Sequence, residues 1–121
     1  RIPFPGPALA ARIVGDVTEE KLDLVREATA IVEEELGDSG AFQYLAVLLE
    51  DRATGIRDGR REFGRIIVVR CIDSVDARIA SVRRLPWEKL ERICERIVGI
   101  EGVNRCLYDL TPKPPATVEY V

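Results

Sequence analysis

Two apolar runs rich in β-branched and aromatic residues lie between two stretches of helical spacing, and this order leaves the chain few ways to fold. The first run, Ala41 to Leu49, carries Phe42, Tyr44, Val47 and Leu48 and reads as a buried strand. The second, Phe63 to Ile72, holds Ile66, Ile67, Val68, Val69 and Ile72, side chains that suit a pleated, half-buried surface. Between them, Asp51 to Arg61 is a polar connection with Gly55 and Asp58-Gly59, as a hairpin-like loop requires. Upstream, Leu24, Val25, Ala28, Ile31, Val32 and Leu36 fall on one helical face. Asp16 is the expected N-cap, with Glu19 three residues on, and Gly37 the stop. Glu33, Glu34 and Glu35 crowd the negative end of that helix, so tertiary contacts must outweigh the macrodipole there.

Downstream, a short helix is expected over Asp76 to Val82. Pro86 then opens the clearest amphipathic helix, with Leu90, Ile93, Cys94, Ile97 and Val98 at i, i+3, i+4, i+7 and i+8 and Gly99 and Gly102 at its end. Asn104 to Leu110 reads as a third strand. Ala116 to Val121 reads as a fourth, with Ala116, Val118 and Tyr120 on one face and Thr117 and Glu119 on the other. The expected fold is α+β: two layers, a small and mainly antiparallel sheet with helices packed on one face, forming a single domain over residues 1–121. Phe42, Tyr44, Ile66, Val68, Leu107 and Tyr108 are more sheet-facing apolar groups than two helices need cover, and a surplus on the second face would make a homodimer interface.

A hydrophobic content of 46% with 32% charged residues describes a soluble globular protein, and no stretch approaches the ~18 apolar residues of a membrane span. The net charge of −3 gives no support to wholesale nucleic-acid binding. Cys71, Cys94 and Cys106 lie singly inside apolar runs, which argues against a disulfide framework or a CxxC metal site and for free thiols in a reducing cytoplasm. Without histidine, the chain has no His-based acid–base chemistry, triad or metal site.

The two ends carry the most specific chemistry. Pro112-Lys113-Pro114-Pro115 places a cation between prolines, whose fixed φ stiffens the loop and lowers the entropy lost on binding. Lys113 is one of three lysines against fifteen arginines, a compact point charge suited to a phosphate or carboxylate. Arg1-Ile2-Pro3-Phe4-Pro5-Gly6-Pro7-Ala8-Leu9-Ala10 is a second Pro/Gly loop with a cation and an aromatic.

Together these ends resemble the C-terminal dimerisation domain of glutamine-hydrolysing GMP synthase, which opens on an Arg-His-Pro-Phe-Pro-Gly-Pro-Gly-Leu-like segment and closes on Ser-Lys-Pro-Pro-Ala-Thr-Ile-Glu-Trp-Glu or a near variant. Gly15-Asp16-Val17-Thr18, Asp58-Gly59-Arg60, Leu85-Pro86-Trp87, Gly102-Val103-Asn104-Arg105 and Tyr108-Asp109-Leu110-Thr111 follow the family in order. The resemblance covers essentially the whole chain. Ile2 stands where the family has His, Ala8 for Gly, Tyr120 for Trp and Val121 for the terminal Glu. Arg1 opening inside a family motif suggests a domain cut from a longer polypeptide, and the short connection after the first helix suggests an archaeal-type enzyme whose amidotransferase is a separate subunit.

The resemblance implies that xanthosine 5′-monophosphate (XMP) binds where this domain meets an upstream ATP-pyrophosphatase domain. ATP and Mg²⁺ act in the parent enzyme and are not bound by this domain, and ammonia comes from a glutamine amidotransferase domain or subunit. The pyrophosphate loop is absent from this sequence, so no catalytic residue and no activity of the isolated chain are expected. Lys113 matches the family's phosphate-binding lysine; Thr117, Val118 and Glu119 match the segment lining the nucleotide, and Arg1 is a second phosphate partner. Asp58, Gly59 and Arg60 match a loop near the dimer interface, through which Arg60 would assist a partner's anion site. Neither a metal, nucleic acid nor a membrane is an expected partner. The alternative is a stand-alone α+β interaction module. Gly37-Asp38-Ser39-Gly40 formally reads as the GxxG clamp of KH domains, but a loop between helix and strand that carries an acid does not fit that clamp.

Overall fold

The computed structural model describes residues 12–74 and 78–120. Their elements are α1 (Glu19–Leu36), β1 (Gln43–Arg57), β2 (Arg60–Ser74), β3 (Ala80–Val82), α2 (Trp87–Val98) and β4 (Val103–Tyr108). β2 organises the sheet. One edge pairs antiparallel with β1 from Arg57↔Arg60 to Gln43↔Ile72. The other edge pairs parallel with β4 over Arg65–Val69 and antiparallel with β3 over Ile72–Ser74. The result is the expected α+β architecture, an open and mostly antiparallel sheet with both helices against it.

Alternation along β1 and β2 sorts their side chains. Ala46, Leu48, Ile67, Val69 and Cys71 face the helices and pack with Val25, Ala28, Val32, Leu36, Ile93 and Ile97. Leu45, Val47 and Val68 face the other way and are buried with Val14 and Leu49 beside them, so part of the apolar surplus of the second face is covered within the chain. Leu107, at 45% exposure, is not.

Several expected boundaries move. The cap of α1 is Thr18, whose Oγ1 accepts from Lys21 N at 3.2 Å, and Asp16 instead offers its carbonyl to Lys21 Nζ at 2.8 Å. Gly37 ends the helix as expected. Two of the three glutamates before it are answered from α2: Glu35 accepts from Arg92 at 2.9 Å, Arg96 at 3.0 Å and Lys89 at 3.4 Å, and Glu34 pairs with Arg96. Gly37–Gly40 joins helix to strand, as its sequence suggested.

The polar stretch Asp51–Arg61 is strand except for Asp58-Gly59. Both residues have positive φ (53° and 77°), giving the two-residue mirror turn whose twist matches a hairpin. A register shift between Leu48 and Arg52 marks where the hairpin leaves the core as an exposed arm. The arm is held at its base by Asn104, whose Nδ2 donates to Ala53 O at 2.8 Å. A Cβ at Gly55 or Gly64 would lie 2.6 or 2.7 Å from that nitrogen, so both positions must lack one.

Ala80–Val82 is strand β3, not the end of a short helix; residues 76 and 77 lie outside the described part. The expected fourth strand over Ala116–Val121 is also replaced. Residues 116–120 are bends and irregular backbone, Val121 is outside the described part, and the tail's ladder contact is a bridge from Lys113 to Ala80 (2.8 and 3.1 Å).

Candidate functional site

Arg70 organises the site. It stands on β2 on the face away from the helices and is 0% exposed. A buried guanidinium needs partners for its donors. Nη2 donates to Thr117 O at 2.8 Å and Nε to Val118 O at 3.2 Å. Nη1 forms an ion pair with Asp109 Oδ2 at 3.0 Å, without the alignment of a hydrogen bond. Asp109 comes from the end of β4, and its Oδ1 accepts from Thr111 N at 3.0 Å. The tail therefore meets the sheet through an arginine, where alternation of Ala116, Val118 and Tyr120 suggests a strand ladder.

Glu119 is the second anchor. Arg12, itself 3% exposed, donates from Nε to Oε1 at 3.1 Å and from Nη2 to Oε2 at 2.7 Å, a fork-to-fork pair. Gln43 Nε2 donates to Oε2 at 2.7 Å. The Arg12 bonds hold the Glu119 carboxyl below its ordinary range against the opposing effect of burial, so it is an ionised acceptor near neutral pH. A carboxylate accepts about four hydrogen bonds. Three positions are filled here, which leaves Oε1 room for one donor from a ligand.

Arg70, Asp109, Thr111, Thr117, Glu119 and Tyr120 line a polar cavity of about 340 Å³. Thr117 Oγ1 donates to Glu119 O, so its hydroxyl shapes the turn. Of the three expected nucleotide-lining residues, Thr117 and Glu119 line this cavity, and Val118 offers its carbonyl to Arg70. Lys113 begins the same loop, half-buried and bound through its backbone to Ala80. Arg1 lies outside the described residues. Asp58, Gly59 and Arg60 are exposed at the hairpin tip. Arg60 is ten residues from Arg70 along one strand, about 30 Å at ~3.3 Å per residue, so one chain does not join the tip to the cavity. Sequence reasoning missed Arg70, Asp109, Arg12 and Gln43. Two signals were available: an arginine inside the β-branched run of β2, which a sheet tolerates only when something pairs it, and Asp109 within a family-resembling segment.

A larger cavity of about 470 Å³ lies between α2 and β4, lined by Trp87, Leu90, Cys94, Cys106 and Leu107 among others. No lysine or arginine lines it, so it lacks a phosphate partner. All three cysteines are free. Burial pushes Cys71 up to about 11 and Cys106 up to about 12, which keeps both as thiols. Among the described residues no group of His, Cys, Asp or Glu is arranged to hold a metal ion.

The geometry defines an α+β domain, a helix-backed sheet with a polar cavity beneath a clasped tail segment. Residues 30–120 match the family described as GMP synthase C terminal domain, and the chain belongs to that family. It is 48% identical to a subunit of the glutamine-hydrolyzing GMP synthase of Methanopyrus kandleri, over 99% of this chain and 41% of that protein. To the corresponding subunit of Archaeoglobus fulgidus it is 50% identical, over 99% of this chain and 40% of the relative. It is also 46% identical to the glutamine-hydrolyzing GMP synthase of Nitratidesulfovibrio vulgaris, over 99% of this chain and 24% of the relative. The chain thus spans about two-fifths of the length of the Methanopyrus and Archaeoglobus relatives.

Proposed function

We propose that residues 1–121 act as the XMP-binding and dimerisation domain of a cytoplasmic GMP synthase, which aminates XMP to GMP in purine nucleotide biosynthesis. ATP and Mg²⁺ are handled by an upstream ATP-pyrophosphatase domain, ammonia by a glutamine amidotransferase domain or subunit, and the isolated domain makes no GMP. The observation that supports this reading is the polar cavity inside the family-matched region, with an ionised Glu119 retaining one acceptor position and Lys113 opening the same loop. Lys113 supplies a charge-assisted contact to the nucleotide phosphate, with Arg1 as a second cation. Thr117 and Val118 present the tail backbone, and Glu119 accepts a proton donor of the base or ribose. Asp58, Gly59 and Arg60, too far from their own cavity, serve the partner's site across the homodimer. No described helix is long and apolar enough to cross a membrane.

Steady-state kinetics of Lys113→Ala in the intact protein test this. The lost phosphate contact, worth ~1.5–3 kcal/mol, raises the XMP KM about 10- to 100-fold, with the ATP KM unchanged. An unaltered XMP KM removes Lys113 from the site. In the same assay Arg60→Ala raises the XMP KM less; no change in KM or in dimer mass by light scattering removes the hairpin tip from the reading.

A further inference from the structure

Among the described residues, little main-chain pairing holds the tail beyond Lys113. Ala116 N donates to Pro112 O at 3.0 Å, a local turn, and the long-range bonds to residues 117–119 come from side chains. Arg70 supplies two of them, both to carbonyls immediately preceding Glu119. We propose that Arg70, braced by Asp109, is the positioning residue of the nucleotide site: it sets the path of Thr117 and Val118 so that the Glu119 carboxylate faces the cavity. This rests on the nucleotide-binding reading of the tail.

The chemistry calls for arginine in particular. Two carbonyl oxygens of consecutive residues accept from two nitrogens of one planar fork, while Nη1 is turned to the carboxylate of Asp109. A lysine keeps the charge for Asp109, but its three donors radiate from a single nitrogen and do not reproduce the spread of the planar fork that reaches Asp109 and both carbonyls. Arg70 therefore fixes two consecutive residues in register, and Arg12 and Gln43 fix the next side chain. A purely stabilising role would not need donors aimed at that segment.

The test compares Arg70→Lys with wild type in the intact protein by hydrogen exchange, thermal melting and kinetics with XMP and ATP. The expected result is amide exchange at least about tenfold faster in residues 116–120 with β1 and β2 unaffected, and an XMP KM raised about tenfold. kcat and the ATP KM change less than about twofold, because only substrate placement is lost. Unchanged tail exchange, or equal acceleration throughout β1 and β2, overturns the proposal, as does a fall in kcat at unchanged XMP KM. If Arg70→Lys loosens the tail but neither it nor Lys113→Ala moves the XMP KM, the nucleotide reading fails and the clasp survives only as structure. Should Arg70→Lys not fold, Asp109→Asn keeps the fork and removes its brace. It is then expected to accelerate the same amides by a smaller factor, and tail exchange equal to wild type overturns the proposal.

Discussion

On the helix side of the sheet, Ile67, Val69 and Cys71 meet Val25, Val32, Ile93 and Ile97 in one continuous apolar cluster. On the other side, Val68 and Arg70 alternate along the same strand, and beyond the small cluster of Leu45, Val47 and Val68 the cover is a tail gripped by guanidinium groups. Apolar burial is non-directional and contributes roughly 25 cal/mol per Å². A partly buried ion pair gains little net stability after desolvation, but it accepts only one geometry. The first face supplies most of the stability, and the second fixes the geometry of the tail around the polar cavity.

The largest expected effect lies on the helix side. Ile97→Ala empties a fully buried site and is expected to cost about 2–5 kcal/mol, read as a lower urea midpoint with unchanged slope. A loss below about 1 kcal/mol would mean the helices are not the main source of stability. The next effect is pH-dependent. The bonds from Arg92, then Arg96 and Lys89, outweigh burial and lower Glu35 from 4.5 to about 2. Because the folded value is the lower one, its contribution is complete above pH 4.5 and is lost as pH falls toward 2. Glu35→Gln should therefore destabilise near neutral pH, and its difference from wild type should shrink through that window; a constant difference rules the linkage out. The smallest global effect is expected on the tail side. Glu119→Gln weakens the Arg12 pair, whose carboxylate is 43% exposed, and should cost about 1 kcal/mol, with faster exchange confined to the tail. A loss as large as that of Ile97→Ala would erase the distinction between the faces.

The helix-side face was largely legible in the sequence because burial there follows period. Leu24 to Leu36 and Leu90 to Val98 announce their helices, and the β-branched run announces β2. The arm was not legible as strand because its stability comes from Asn104 fitting against Gly55 and Gly64 some forty to fifty residues away, and only the Asp58-Gly59 turn shows locally. The tail misled in the opposite direction. Its alternation of Ala116, Val118 and Tyr120 satisfies a strand pattern, yet its carbonyls go to Arg70, a partner that no local period can reveal. Lys113, Thr117, Val118 and Glu119 stood out through motif resemblance, whereas of the groups that hold the tail Arg12, Gln43 and Arg70 carried no motif signal and Asp109 lay in a resembling segment without a role assigned to it.

The Arg12–Glu119 pair spans a sequence separation of 107 residues and has a consequence for how the protein is made. Arg12 leaves the ribosome long before its carboxylate exists, and Arg70 precedes its two acceptor carbonyls by more than forty residues. Until residues 117 to 119 have emerged, Arg12 lacks the Glu119 carboxylate and Arg70 its two tail carbonyls, while every described helix and strand of the sheet is already complete. A chain that stops at residue 116 retains every residue of the apolar core and lacks Thr117, Glu119 and Tyr120 of the cavity wall, so a stability screen would pass a product whose cavity is incomplete.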